Sequence, residues 1–123
     1  MDTELAWAAG FFDGEGTIGC YSQPARLRSN GTTIGRPRLR LCITQNRTDS
    51  LARFQHALGG LGSIGACRPR TGCYQFNVYA DQDVRRALSL LWPYLSGAKR
   101  AQTLAALATF AARSQRVRAA LAG

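Results

Sequence analysis

The sequence predicts an α+β fold, a four-stranded antiparallel sheet covered on one face by helices, in the order α-β-β-α-β-β-α-α. Three observations predict it. Residues 36–45, RPRLRLCITQ, alternate strictly between polar and apolar, the mark of a half-buried strand. Residues 61–79 carry a second hairpin pattern, and the segments between and after the hairpins repeat apolar residues at helical spacing. A chain of 123 residues, 46% of them hydrophobic, is sized for one domain, residues 1–123, with one core.

The first element is a helix over residues 3–13, TELAWAAGFFD, with Ala6, Gly10 and Asp13 at i, i+4 and i+7 and Ala9 beside them. Gly14 and Gly16 are expected to end it by taking positive φ angles. A strand follows over 17–28, then a turn around Ser29-Asn30-Gly31. In the second strand, 36–45, Arg36, Arg38, Arg40, Cys42 and Thr44 share one face and Leu39, Leu41 and Ile43 the other. A helix over about 47–58 buries Leu51, Phe54 and Leu58 and stops at Gly59. The second hairpin turns near Pro69 to Gly72, with Tyr74, Phe76 and Val78 on one face and Gln75 and Asn77 on the other. The next helix opens at Asp81, buries Val84, Leu88 and Leu91, and stops before Pro93. An alanine-rich helix from about 98 to 113 or further closes the chain, with Leu104, Leu107 and Ala111 as its apolar stripe.

Charge narrows the function. Sixteen Lys and Arg against seven Asp and Glu give +9, which favours a polyanionic partner. The distribution is uneven: residues 1–16 hold four acids, Asp2, Glu4, Asp13 and Glu15, and no base, and all the bases lie beyond them. An acidic segment set in a basic protein suits metal-assisted chemistry on a nucleic acid. Fifteen of the sixteen bases are Arg, whose planar fork suits phosphate and guanine edges.

Several classes are disfavoured. No stretch approaches the ~18 apolar residues of a membrane span, and the N-terminus lacks a secretory pattern, so an intracellular protein (cytoplasm, nucleoid or organelle) with no membrane partner is expected. Gly-x-Gly-x-x-Gly occurs at Gly14 to Gly19 and at Gly60 to Gly65. The first match follows a helix and opens a strand, the reverse of a dinucleotide-binding turn, and no parallel β-α-β series follows the second, so no nucleotide cofactor is expected. Cys20, Cys42, Cys67 and Cys73 lack Cys-x-x-Cys spacing and His56 is the sole histidine, which argues against zinc. Cys67 and Cys73 bracket the second hairpin, yet free thiols are expected inside a cell.

Small residues on the first helix allow a second helix to approach closely. If that helix belongs to a second copy, twofold symmetry brings both Glu15 side chains together at the axis, where paired carboxylates can hold Mg²⁺. The alternative is a helix packed on its own core, with Asp13 and Glu15 as surface caps.

The segment Ala8-Ala9-Gly10-Phe11-Phe12-Asp13-Gly14-Glu15-Gly16, followed by Thr17-Ile18, resembles the motif that names the LAGLIDADG homing endonucleases, with Ala8 where Leu is usual. Ile43-Thr44-Gln45 closing the second strand, and Pro93-Tyr94-Leu95 before Lys99-Arg100-x-Gln102, are similar to single-motif members, so the likeness covers nearly the whole chain. The resemblance implies the family's α-β-β-α-β-β-α fold, with a four-stranded DNA-binding sheet backed by helices. It implies a homodimer that hydrolyses both DNA strands across the minor groove at a long, roughly palindromic site, with Mg²⁺ or another divalent metal. It makes Glu15 the metal ligand and a catalytic residue, Gln45 the residue that positions water, and Lys99 the basic residue before the last helix, or Arg100 if the alignment slips by one. Ala6, Ala9, Gly10 and Asp13 fall at the dimer interface. DNA contacts are expected from Arg36, Arg38 and Arg40, and next from Arg26, Arg28, Arg68, Arg70, Gln75 and Asn77. A non-cleaving DNA-binding regulator and an RNA maturase are the alternative functions on the same scaffold.

Overall fold

The computed structural model describes residues 2–27, 31, 33–68 and 71–122. The elements are α1 (Thr3–Glu15), β1 (Gly16–Leu27), β2 (Thr33–Gln45), α2 (Asp49–Ala57), β3 (Ser63–Ala66), β4 (Tyr74–Val78), α3 (Asp81–Leu91) and α4 (Gly97–Ala122), with a 3-10 turn at Trp92–Tyr94 between the last two. This is the predicted order. The strands form one antiparallel sheet in the order β1-β2-β4-β3, two hairpins joined by pairing of β2 with β4.

α1 starts at Asp2, whose side chain accepts the Leu5 N–H at 3.0 Å, a standard N-cap. It runs two residues further than predicted. Gly14 stays inside the helix, and Gly16 has φ −95°, so neither glycine uses a positive φ to stop it. What Gly16 supplies is space: a Cβ there would run into the ring of Phe12, which is fully buried. The chain can therefore turn directly from helix to strand over the Phe12 ring. The positive φ angles lie instead at Gly31, in the β1–β2 turn, and at Gly59 and Gly60 beyond α2, at Gly62, and at Gly72 in the second hairpin.

The alternation in β2 appears as predicted. Leu39, Leu41 and Ile43 are fully buried under the helices, and the arginine positions face outward. The core gathers these residues with Ala8, Ala9 and Phe12 of α1, Leu51 and Phe54 of α2, Phe76 and Val78 of β4, and Val84, Ala87, Leu88 and Leu91 of α3. Phe54 is at its centre, with ring centroids 5.9 Å from Phe11, 6.3 Å from Phe12 and 5.1 Å from Phe76. Trp7 stacks on Phe11 at 5.2 Å and is covered by the Arg53 guanidinium, 3.9 Å from its ring centre. Arg53 also pairs with Glu4 at 2.8 Å, which holds the Glu4 carboxyl below its usual range. His56 is exposed on α2, as a surface residue would be.

Two further expectations are corrected. The α4 stripe is not Leu104, Leu107 and Ala111: Thr103 and Ala106 are the buried positions, Leu107 and Phe110 are half-buried, and Leu104 is 57% exposed. An alanine-rich helix has little amphipathic contrast, so its sequence leaves the rotation about its axis undetermined. The thiols also differ from expectation: Cys20 and Cys42 are free, while Cys67 and Cys73 form a disulfide across the second hairpin, Cα atoms 5.2 Å apart. The Cys67 N–H donates to the Cys73 carbonyl at 2.8 Å, so ladder pairing itself brings these two residues face to face.

Candidate active site and basic sheet face

The end of α1, the end of β2 and the start of α4 converge at one point. Glu15 is the last residue of α1 and Gln45 the last of β2, two positions past Ile43, which pairs with Gly16. The Gln45 amide donates to Glu15 Oε2 at 3.3 Å. From the first turn of α4, Lys99 Nζ donates to the Gly16 carbonyl at 2.8 Å and to Gln102 Oε1 at 3.0 Å, with the Phe12 ring centre 5.2 Å away. Residues 15, 45 and 99 of the sequence thus form one cluster around the helix-to-strand junction. Arg100 is turned away from it, donating to the Trp92 carbonyl at 2.9 Å.

Glu15 and Gln45 open onto a polar cleft completed by Thr44, Asn46, Arg47, Asp49 and Ser50. Sequence reasoning assigned Asn46, Arg47, Asp49 and Ser50 no role. Their only signal was an unbroken polar run after Gln45, most of it inside the helix expected over about 47–58. Arg47 lies 3.3 Å from Asp49 and holds that carboxyl below its usual range.

Asp13 links two elements. Both of its carboxylate oxygens accept from the Ser96 N–H, at 3.1 and 3.2 Å, and Oδ1 accepts from the Ser96 hydroxyl at 3.0 Å. Ser96 Oγ in turn accepts the Lys99 N–H at 3.1 Å, capping α4. Asp13→Ala is therefore expected to cost about 1–2 kcal/mol in a urea titration, with Asp13→Asn losing less because its amide oxygen still accepts. An unchanged midpoint in both would show that the clasp does not hold α4.

The four residues assigned to a dimer face are placed differently from one another. Ala9 is fully buried in the chain's own core and has no surface to offer a second copy. Ala6 is half-buried, and Gly10 is exposed, with open space where a Cβ would stand; Gly14 shares that property. Asp13 is half-buried and bonded to Ser96.

On the outer face of the sheet, β2 presents Arg36, Arg38, Arg40, Cys42 and Thr44. Register sets Gln23, Tyr21, Gly19 and Thr17 of β1 beside Arg36, Arg38, Arg40 and Cys42. It sets Asn77 and Gln75 of β4 beside Cys42 and Thr44. Thr17, Tyr21 and Gln23 were not expected there, because β1 alternates too weakly for its faces to be assigned from sequence. The Tyr21 and Tyr79 rings meet edge to face at 6.5 Å. Arg68 is exposed just beyond β3, and Arg26 is carried by β1. Arg28 and Arg70 lie outside the described residues.

No helix among the described residues is long and apolar enough to cross a membrane. Among them, no three His, Cys, Asp or Glu side chains gather as a metal site.

No family model matches the chain, and no curated protein matches it. Solved structures do. It is similar to the homing endonuclease I-CvuI, solved in complex with a DNA target, with 28% identity, a TM-score of 0.68, and coverage of 82% of this chain and 61% of the other. It is also similar to the group I intron-encoded homing endonuclease I-CeuI complexed with DNA, with 15% identity, a TM-score of 0.68, and coverage of 91% and 54%. A third is the LAGLIDADG meganuclease I-CpaMI bound to uncleaved DNA, with 23% identity, a TM-score of 0.61, and coverage of 80% and 32%. The chain spans less than two thirds of the length of each. Helix order, the four-stranded antiparallel sheet and the AAGFFDGEG segment at the α1–β1 junction agree on one conclusion: the fold of this chain is that of the LAGLIDADG homing endonucleases.

Proposed function

We propose that residues 1–123 act as one domain of a sequence-specific double-strand DNA endonuclease, working inside the cell as a homodimer on a long, roughly palindromic site. The observation that carries the reading is the convergence of Glu15, Gln45 and Lys99 at the foot of α1, on a sheet whose outer face is basic. The DNA-bound state of I-CvuI supports the same partner.

The donor set fits a hard divalent cation shared between two chains. Glu15 is exposed and supplies carboxylate oxygen, the ligand type Mg²⁺ prefers, while Asp13 is bonded to Ser96 and Asp49 is paired with Arg47. A second copy packed on the Ala6, Gly10 and Gly14 line of α1 would bring a second Glu15 carboxylate, because a twofold contact places equivalent residues across its axis. When bound there, a divalent metal supplies charge neutralisation on the phosphodiester oxygens. Gln45 restrains the Glu15 carboxylate and presents its amide to the cleft, where it can orient an attacking water. Lys99, fixed by the Gly16 carbonyl, holds a positive charge beside the position a phosphate would take. Among the described residues the site contains no Ser–His or Cys–His pair, and direct attack by water on phosphorus requires none.

The reading is tested by incubating the protein with a randomised-site duplex library in Mg²⁺ and, in parallel, in Ca²⁺, which permits binding without turnover. Sequenced ends that define one near-palindromic motif, in Mg²⁺ alone, are the expected result. A motif enriched by binding with no ends in either metal would replace the endonuclease with a DNA-binding regulator. No enrichment, together with binding to structured RNA, would replace it with an RNA-binding function. The mass from sedimentation equilibrium is expected to be twice that of the chain.

A further inference from the structure

We infer that Arg40 is the guanine-reading residue of the sheet, that Asn77 and Gln75 hold it in place, and that the neighbouring Arg38 is a structural tie that reads no base. The inference rests on the sequence-specific DNA binding proposed above, and it assigns different roles to residues that sequence reasoning placed together as DNA contacts.

Reading guanine in the major groove takes a guanidinium whose two parallel N–H groups meet O6 and N7. Such a group must keep its charge, keep one edge free, and be held still beforehand, since fixing a long side chain only on binding costs affinity. Arg38 fails on charge. Its Nε lies 3.8 Å from Asp81 Oδ1, its Nη2 donates to the Tyr79 carbonyl at 3.4 Å, and its side chain is only 25% exposed. Asp81 is itself built into the sheet, since Oδ1 also accepts the Leu39 N–H at 3.2 Å. Arg38 therefore closes the junction between β2 and the start of α3, with its positive charge answered by a carboxylate.

Arg40 meets all three conditions. Its Nε donates to Asn77 Oδ1 at 2.8 Å, and Nη2 donates to Gln75 Oε1 and approaches Cys42 Sγ, both at 3.4 Å. These partners are neutral, so the full charge remains for an electron-rich base edge. The bonds engage the Nε–Nη2 side of the fork and none of them uses Nη1, which leaves the Nη1–Nη2 end for a ligand. The thiol is a weak acceptor that a base oxygen readily replaces. Gln75 is oriented in turn, its Nε2 donating to Thr44 Oγ1 at 3.4 Å, and the Tyr79 ring lies 5.7 Å from the guanidinium carbon. The two β4 amides thus spend their acceptors on Arg40 and act as positioning residues.

The test is a binding-specificity profile, measured in Ca²⁺ so that cleavage is not needed, for the wild type and for Arg40→Ala, Arg40→Lys, Asn77→Leu and Arg38→Leu. Arg40→Ala is expected to lose a guanine preference at one position per half-site and to bind the preferred site about 10- to 100-fold more weakly. Arg40→Lys keeps the charge without the fork, so it should relax the same position while retaining affinity for non-specific DNA. Asn77→Leu should relax that position too, by less. Arg38→Leu should leave the profile unchanged and lower the melting temperature. A uniform loss across all sequences in Arg40→Ala and Arg40→Lys would make Arg40 a phosphate contact, and relaxation of a position by Arg38→Leu would reverse the assignment. Either result overturns the inference while DNA reading by the sheet stands. If the wild type enriches no motif at all, the DNA-reading function fails, and the inference with it.

Discussion

Glu15→Gln is expected to reduce double-strand cleavage in Mg²⁺ by on the order of 10²-fold or more, while the affinity for the target in Ca²⁺ changes by less than about threefold. The substitution keeps the size and shape of the side chain and removes the charge that a divalent cation needs. Glu15 is exposed at the end of α1, so stability should move by no more than about 0.5 kcal/mol. Its hydrogen bond from Gln45 survives, because the amide oxygen of the new glutamine still accepts. Loss of activity therefore reports the chemistry and not a disturbed fold. Cleavage at the wild-type rate would remove Glu15 from the catalytic role and leave the cluster as a structural junction.

The largest stability effect is expected from Phe54→Ala, about 3–5 kcal/mol in a denaturant titration. The ring is fully buried and within 5.1–6.3 Å of three other aromatic rings, drawn from α1 and β4. Truncation removes these contacts together and leaves a cavity that neither the sheet nor α1 can close, since β2 and β4 are held by ladder bonds and α1 by the Asp13 clasp. Phe54→Leu, which keeps most of the volume, should cost less than half as much. A loss below about 1 kcal/mol for Phe54→Ala would show that the core closes around the gap, contrary to the packing described.

What the sequence revealed follows the range of the interactions involved. β2 was legible because alternation in a two-faced strand is local: Leu39, Leu41 and Ile43 could be buried only if Arg36, Arg38 and Arg40 faced out. α2 and α3 were legible from apolar spacing and the residues that stop them, to within a few residues at their ends, and α1 was placed although its glycines do not end it by a positive φ. The rotation of α4 was not, because alanine gives no contrast, and the face is chosen by which side chains fit against β1 and β2. Glu15, Gln45 and Lys99 came from the resemblance, and only the fold shows that they meet. The Asp13 clasp on Ser96 and the neutral cradle of Arg40 join residues 83 and up to 37 positions apart, and nothing local announces either. Ala9 shows the opposite error: a small residue beside an exposed stripe reads as interface, yet in this helix it faces the core.

The bonds that close the junction join the first third of the chain to the last. Asp2 donates through its N–H to the Tyr94 hydroxyl, Asp13 holds Ser96, Gly16 holds Lys99, and Arg113 reaches the Cys20 carbonyl, across separations of 83 to 93 residues. During synthesis, Glu15 and Gln45 leave the ribosome long before Lys99, and until the later residues follow them the Gly16 carbonyl lacks the Lys99 ammonium and Asp13 lacks Ser96. A product halted or clipped before Ser96 carries Glu15 and Gln45 without Lys99 and without the Asp13 clasp. The cluster is thus completed only when the late helix returns to the early one.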